Sequence, residues 1–501
     1  MKSNNAKVKN FYEYMSRISR KAYSDPYLIA NDVLCKQDTP GRVLERLILG
    51  DIPQKGTFLF AAKKVILYFL KNLAAYLIYI FTALAHRLSR QSYRLPEKGE
   101  LVVLDTYFRV RETLDSGKFR DSYFPDLVGA LERRKLKYVY VPRFIWSFQR
   151  PLELYRVFKI LKKNGDPVLT EFQLLNLADY IEIVRFIFFY PISVSRFAKN
   201  LGNTYEDEVL RRGLWEGLDG IAFGGYVRFL LGKRLSFIKI NKVKCLSWYE
   251  NQVLDKNFYR GLRITPNKVK IIGAQLFVRP FTLLNTLPDE FEAPFNVIPD
   301  KVLVNGAGYI FKSRYTQVDI GPSLRYAHIF NLNVNPSSAK IILVLMPYWD
   351  HVIRHILKII REVGWQVQIK IKFHPSTDGR KYCQELDESW VTNKPVPELL
   401  SEAMIVLGNG TGSLVEAIAL GIPVISIKSR SEFSHNYMPE AGKGVLWDQA
   451  VGAKEVTRLV SKFQKSLESD PSRLKKEGEQ IKYNLFSEPT DKLIGQAFQL
   501  D

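Results

Sequence analysis

Two short segments of this chain hold residues whose types and spacing suit phosphate chemistry. The first runs Ile369-Lys-Ile-Lys372-Phe-His374-Pro375, and the second, after the apolar run Met404–Leu407, is Gly408-Asn-Gly410-Thr411-Gly412-Ser413. A histidine at a strand end can donate to a phosphate or leaving-group oxygen as imidazole or imidazolium. A Gly/Thr/Ser turn opening a helix offers backbone N–H groups and a positive dipole end to an anion. Lys372 and Arg325, the latter in Gly321-Pro-Ser-Leu-Arg-Tyr, are cations available to the same charge. Plainer roles fit the same residues: a surface arginine for Arg325, a satisfied loop histidine for His374. Ser413-Leu-Val-Glu416 matches a capping box. In the functional alternative Thr411, Gly412 and Ser413 cradle a phosphate, and Glu416 holds the turn or a ribose hydroxyl. The glycine spacing is neither a P-loop, since no lysine follows, nor the dinucleotide fingerprint. No Asp-x-Asp, HExxH or His/Cys cluster is present, so no metal is expected. Arg, Lys, His and N–H groups must then meet the charge.

These residues need a scaffold that brings two strand ends to one edge. Lys340–Met346 reads as a buried strand, His351–Val363 as a helix, Gln366–Phe373 and Met404–Leu407 as strands, and Pro423–Ile427 as a further strand. That alternation predicts a doubly wound parallel sheet with ligands at its carboxyl edge. A similar order appears earlier. Leu101–Leu104 is an apolar run that Asp105 is expected to end, Leu127–Arg134 is a helix, and Tyr138–Val141 is a strand. The expected division is a helical segment over 1–95 and a Rossmann-like domain over 96–255. A Pro- and Gly-rich connection over 256–335, a second Rossmann-like domain over 336–470 and a helical tail over 471–501 complete it.

Composition narrows the partners. A chain of 501 residues with 46% hydrophobic and 25% charged residues can build ordinary globular cores. Its 73 Lys and Arg against 51 Asp and Glu give a net charge of +22, which favours an anionic partner. No nucleic-acid motif accompanies that charge, so none is expected as a partner. Cys35, Cys245 and Cys383 form no CxxC or zinc spacing and read as buried thiols of a reducing compartment. No secretory leader pattern opens the chain.

The segment Val65–Ala85 gives the charge a destination. It is nearly long enough to span a bilayer and is flanked by Lys63, Lys64, Arg87, Arg90 and Arg94. A stripe of Lys71, Ala75, Tyr79, Thr82 and His86 is less apolar than the rest. A buried helix, a span and an in-plane anchor all remain open; basic residues at both ends favour the anchor, on a cytoplasmic leaflet. Helical patterns precede it (Phe11, Met15, Ile18, then Leu44, Leu47, Ile48). The apolar run Tyr180–Val194 reads either as a core helix or as more membrane face.

Lys372-x-His374-Pro375 followed by Thr411-Gly412-Ser413 and Glu416-Ala-x-x-x-Gly-x-Pro-Val resembles the C-terminal half of GT-B glycosyltransferases. More narrowly, it resembles bacterial surface-carbohydrate and capsule transferases that use CMP-activated sugars, such as sialic acid or Kdo transferases. Tyr249-Glu250-Asn-Gln and the surroundings of Pro299-Asp300 and Asn305-Gly306 resemble surface-carbohydrate biosynthesis proteins too. The resemblance implies an α/β fold of two doubly wound Rossmann-like domains facing a cleft, with His374, Pro375, Thr411, Gly412 and Ser413 on the CMP moiety. It further implies a metal-independent transfer from a nucleotide-sugar donor to a glycan or lipid-linked glycan acceptor. The expected location is the cytoplasmic face of the inner membrane, against an anionic membrane surface. The Asp/Glu-Asp/Glu-Gly base motif of several sialyltransferases is missing, so the base stays open among Asp121, Asp105 and Glu250. Other readings are a teichoic-acid-type CDP-alcohol phosphotransferase, a UDP-sugar transferase or 2-epimerase, and a non-catalytic membrane-binding scaffold.

Overall fold

The computed structural model describes residues 2–37, 43, 58–96, 99–144, 150–219, 222–240, 242–266, 269–281, 283–429 and 436–501. Its apolar runs form two parallel sheets. The first consists of β1 (Glu100–Phe108), β2 (Tyr138–Phe144), β3 (Lys242–Trp248), β4 (Val269–Gln275), β5 (Lys301–Val304) and β6 (Gln317–Ile320), in the order β2-β1-β3-β4-β5-β6. The second consists of β7 (Ile341–Leu345), β8 (Gln368–Lys372), β9 (Ala403–Gly408), β10 (Val424–Ile427) and β11 (Trp447–Ala450), in the order β11-β10-β9-β7-β8. All pairings are parallel. Strands covered by helices on both faces need apolar residues at successive positions, not alternate ones. Leu101–Leu104 and Ile342–Val344 meet that demand with no exposed surface. Each sheet reverses its winding once, between β1 and β3 and between β7 and β9. Ligand crevices of open sheets lie at such points.

Three boundaries differ from the sequence reading. Residues 256–335 are not a connection, because β4, β5 and β6 lie within them and complete the first sheet. Short strands punctuated by proline and glycine look like loop until a neighbouring strand is there to pair with. β1 does not stop at Asp105; it runs on to Phe108, pairing Asp105 with Val141 and Ser247. Residue 95 is no structural border either. Helix α1 (Lys2–Ala22) buries Phe11, Met15 and Ile18 in a core shared with helices inserted between β2 and β3, α3 (Leu177–Lys199) among them. Leu44, Leu47 and Ile48 lie outside the described residues.

A buried ionic knot ties this N-terminal layer down. Lys256 donates to Glu292 at 2.6 Å, to the Tyr23 hydroxyl and to the Cys35 carbonyl, and Lys36 pairs with Asp289. The segment following α1 is thereby pinned beside the first sheet.

The long helix α2 (Phe58–Ser89) has two unlike faces. Tyr68, Asn72, Tyr79, Thr82, His86 and Ser89 are buried against the protein. Leu59, Ile66, Leu70, Leu73, Leu77, Phe81, Leu84 and Leu88 point outward, 39–76% exposed. Of the less apolar stripe, Tyr79, Thr82 and His86 face inward, whereas Lys71 is exposed. The tail returns across both sheets. Helix Pro471–Leu485 packs on helix Ser413–Ala419, and Asp491 in the last helix meets Arg133 and Arg134 of the first domain. Cys35 and Cys245 are buried thiols; the side chain of Cys383 lies outside the described residues.

Candidate functional site

The carboxyl edges of the two sheets face one cleft of about 1210 Å³. From the second sheet, β8 delivers Lys372, His374 and Pro375 to its wall, and the turn after β9 delivers Thr411, Gly412, Ser413 and Glu416. From the first, the end of β3 delivers Trp248, Glu250 and Gln252. Arg325 and His328 come from the segment after β6. The two reversal points therefore look at each other across the opening.

His374 is partly buried, which lowers its pKa and keeps the ring neutral near pH 7. Its Nδ1 accepts the Ser376 N–H at 3.1 Å, so the proton of the neutral ring sits on Nε2 as a donor. The Tyr348 ring lies 5.7 Å from it and is itself packed on Trp349. Lys372 donates to the Asn393 carbonyl at 3.0 Å. Among the described residues, the N–H groups of Thr411 and Gly412 have no acceptor. Two such N–H groups beside the Ser413 and Thr411 hydroxyls form an anion cradle. The helix that follows has only seven residues, so the cradle relies on these donors more than on a dipole.

The turn can be this tight because of one glycine. Gly410 has φ +62°, and a Cβ there would lie 2.4 Å from the Trp349 ring. Gly410→Ala is expected to lower stability by about 2 kcal/mol, from left-handed strain plus displacement of Trp349. A thermal-unfolding comparison would check this.

The capping box expected over Ser413–Glu416 does not form. Gly412 occupies the N-cap, and Ser413 Oγ instead donates to Glu416 Oε1 at 2.9 Å. The other oxygen, Oε2, lies 2.9 Å from His328 Nε2. Ser413, Glu416 and His328 thus form a chain along the cleft wall. His328 escaped the sequence reading, though it is one of only six histidines and stands three positions after Arg325.

Of the three carboxylates considered as base, Glu250 alone lines the cleft. It accepts Trp248 Nε1–H and Gln252 Nε2–H, each at 2.7 Å. Burial raises its pKa, reinforced by Asp255 and opposed by the Trp248 hydrogen bond, Arg143 and Arg325. Arg325 is held over the rings of Tyr123 and Trp248, at 5.2 and 5.4 Å.

Asp105 is removed from candidacy by its place in mid-strand. It is fully buried, bonded to Arg143 at 2.9 and 2.5 Å, Arg228 at 2.5 Å and Ser247 at 2.7 Å. Burial pushes its carboxyl up, but Arg143, Arg228 and these hydrogen bonds together hold it below the usual range. Asp121 organises a turn: it accepts from Thr106 Oγ1 at 3.0 Å and from the N–H groups of Tyr123 and Phe124. It stays behind the cleft wall, with burial raising its pKa. Among the described residues, no three His, Cys, Asp or Glu side chains group as metal ligands.

No family model matches the chain, and no curated protein does. Solved structures similar to it include a UDP-GlcNAc 2-epimerase from Neisseria meningitidis bound to UDP-GlcNAc, at TM-score 0.43 and 12% identity, covering 81% of this chain and 100% of that one. Another is Acinetobacter baumannii MurG, at TM-score 0.41 and 9% identity, covering 80% and 99%. The wall teichoic acid polymerase TagF is similar at TM-score 0.38 and 9% identity, covering 89% and 97%.

Proposed function

We propose that this protein is a metal-independent glycosyltransferase that takes a sugar from a nucleotide donor held in the cleft. The observation that carries the reading is the pairing of an anion cradle on one wall with the raised carboxyl of Glu250 on the other. The donor's phosphate rests on the Thr411 and Gly412 N–H groups, the Thr411 hydroxyl and His374 Nε2–H, with Arg325 as the nearby cation and the Ser413 hydroxyl able to turn to it from Glu416. Glu250 takes the proton from an acceptor hydroxyl as that oxygen bonds to the anomeric carbon. The bond from that carbon to the phosphate oxygen breaks, and the nucleotide leaves with its charge met by the same donors.

The donor is a CMP-activated acidic sugar, a choice resting on the Lys372-x-His374-Pro375 and Thr411-Gly412-Ser413 resemblance. The acceptor is a bacterial surface glycan or lipid-linked glycan at the cytoplasmic face of the inner membrane. The basic excess and the outward apolar face of α2 support that placement.

A thermal-shift panel of CMP, CDP, UDP, UMP and GDP tests the donor. A nucleotide at roughly 100 times its Kd should add about 2.7 kcal/mol of stability. The expected result is a shift with CMP exceeding that with CDP and lost in His374→Ala. A shift with UDP alone would move the reading to a UDP-sugar enzyme. Silence with all five would overturn the transferase reading in favour of a scaffold.

A further inference from the structure

We infer that the protein docks in the plane of an anionic bilayer through a platform of two antiparallel helices, α2 and α3, and does not span it. The inference rests on the membrane placement proposed above, but not on the chemistry in the cleft. The helices lie side by side: Tyr68 meets Tyr190, Phe69 meets Phe188, and Tyr76 donates to the Tyr180 carbonyl. Residue numbers rise along one helix as they fall along the other, so the two run in opposite directions. The inner side of α3 is core, with Ile183, Phe186, Ile187, Tyr190 and Val194 buried. Its outer side exposes Leu177, Ile181, Phe188, Phe189 and Ile192. The Tyr180–Val194 run is thus a core helix on one face and an exposed apolar surface on the other.

The outward apolar residues of α2 recur at intervals of three, four and seven from Leu59 to Leu88, which is a single helical face. The Phe69–Phe188 contact joins it to the outer face of α3. A contiguous apolar surface of this length is not left to water on a soluble monomer. Its charge identifies the occupant. Helix α2 contains no acidic residue, and Lys63, Lys71 and Arg87 are exposed on it. Helix α3 exposes Arg185, Arg196 and Lys199, and the acids Asp179 and Glu182 are engaged by Arg234 and Arg185. Apolar residues with cations among and beside them suit anionic lipid.

Spanning is opposed by the inner face. From Tyr68 to Ser89, about 32 Å at 1.5 Å per residue, α2 is attached to the protein by buried side chains. His86 bonds Gln91 and Thr170 and packs on Phe158. A helix crossing the hydrocarbon core would have to leave all of these contacts.

Flotation of the full chain with vesicles tests the inference. Binding to phosphatidylglycerol-containing vesicles is expected, about tenfold or more above pure phosphatidylcholine. The double variants L77E/F81E and F188S/F189S should each lose about tenfold or more of that binding. Their circular dichroism, and any nucleotide-induced thermal shift, should be unchanged. Carbonate at high pH should release the protein from the vesicles. Resistance to carbonate would overturn the in-plane arrangement, and unaltered binding by F188S/F189S would remove α3 from the platform. Absence of vesicle binding, with a dimer that dissociates in L77E/F81E, would assign the surface to a second copy of the chain. Loss of the nucleotide shift with vesicle binding intact would instead count against the cleft reading alone.

Discussion

Glu250→Gln is expected to lower kcat by roughly a thousandfold, within the range for removing a general base, with little change in donor affinity. The substitution keeps the shape of the side chain and an oxygen that can accept from Trp248 or Gln252. What it removes is the proton acceptor. In the parent, activity should fall as pH drops through the raised Glu250 pKa, so the acid limb lies above the usual glutamate value of about 4.3. That limb should vanish in the variant. Folding gives an opposite signature. Because the carboxyl ionises less readily folded than unfolded, the parent loses stability as pH rises from the unfolded pKa to the folded one. Glu250→Gln should therefore unfold at the same Tm or higher at neutral pH. A pH–rate profile beside a melting curve separates these outcomes, and an active Glu250→Gln enzyme would sink the assignment.

Asp105→Asn should behave in the reverse way, costing about 3–5 kcal/mol of stability, as expected when one partner leaves a buried ionic group. Arg228 would lose its buried carboxylate partner, while Arg143 would keep Asp255 at 2.7 Å. The midpoint of urea unfolding reports the loss. With its folded pKa held down, Asp105 contributes stability that is present above the unfolded value of about 3.9. That contribution disappears as pH falls further, through the folded pKa. The parent should therefore show an acid transition that the variant lacks. Turnover per folded molecule should remain within a few-fold. A folded Asp105→Asn protein with a collapsed kcat would shift the role of base away from Glu250.

Most of the second sheet was readable from sequence because β7, β9 and β10 are largely apolar and its turn carries three glycines in five residues, whereas β8 alternates Ile with Lys and Trp447-Asp-Gln-Ala450 carries no strand pattern. The first sheet was half readable. Lys268–Ile272 and Lys301–Val304 are short β-type runs whose surrounding prolines and glycines suggest a connection, whereas Gln317–Ile320 is marked as a strand only by the neighbour it pairs with. The second-sheet residues that line the cleft could be picked out because Lys372, His374 and Thr411–Ser413 are adjacent in sequence to strand ends. The choice among Asp121, Asp105 and Glu250 could not be made that way. It turns on how far β1 extends and on which side of the wall each carboxylate lies, and both are tertiary facts. His328 and its bond to Glu416 join residues 88 positions apart, beyond any local pattern.

Asp32 and Gln37 also line the cleft, carried there by the segment that the Lys36–Asp289 and Lys256–Glu292 pairs hold in place. Trimming the chain to its first strand would therefore cut away part of the cleft wall. It would also strand Lys256 and Glu292 without the Tyr23 hydroxyl and the Cys35 carbonyl. The outward-facing leucines of α2 can be exchanged one at a time from outside. The amino-terminal segment is a wall of the cleft, and any resurfacing has to leave that wall standing.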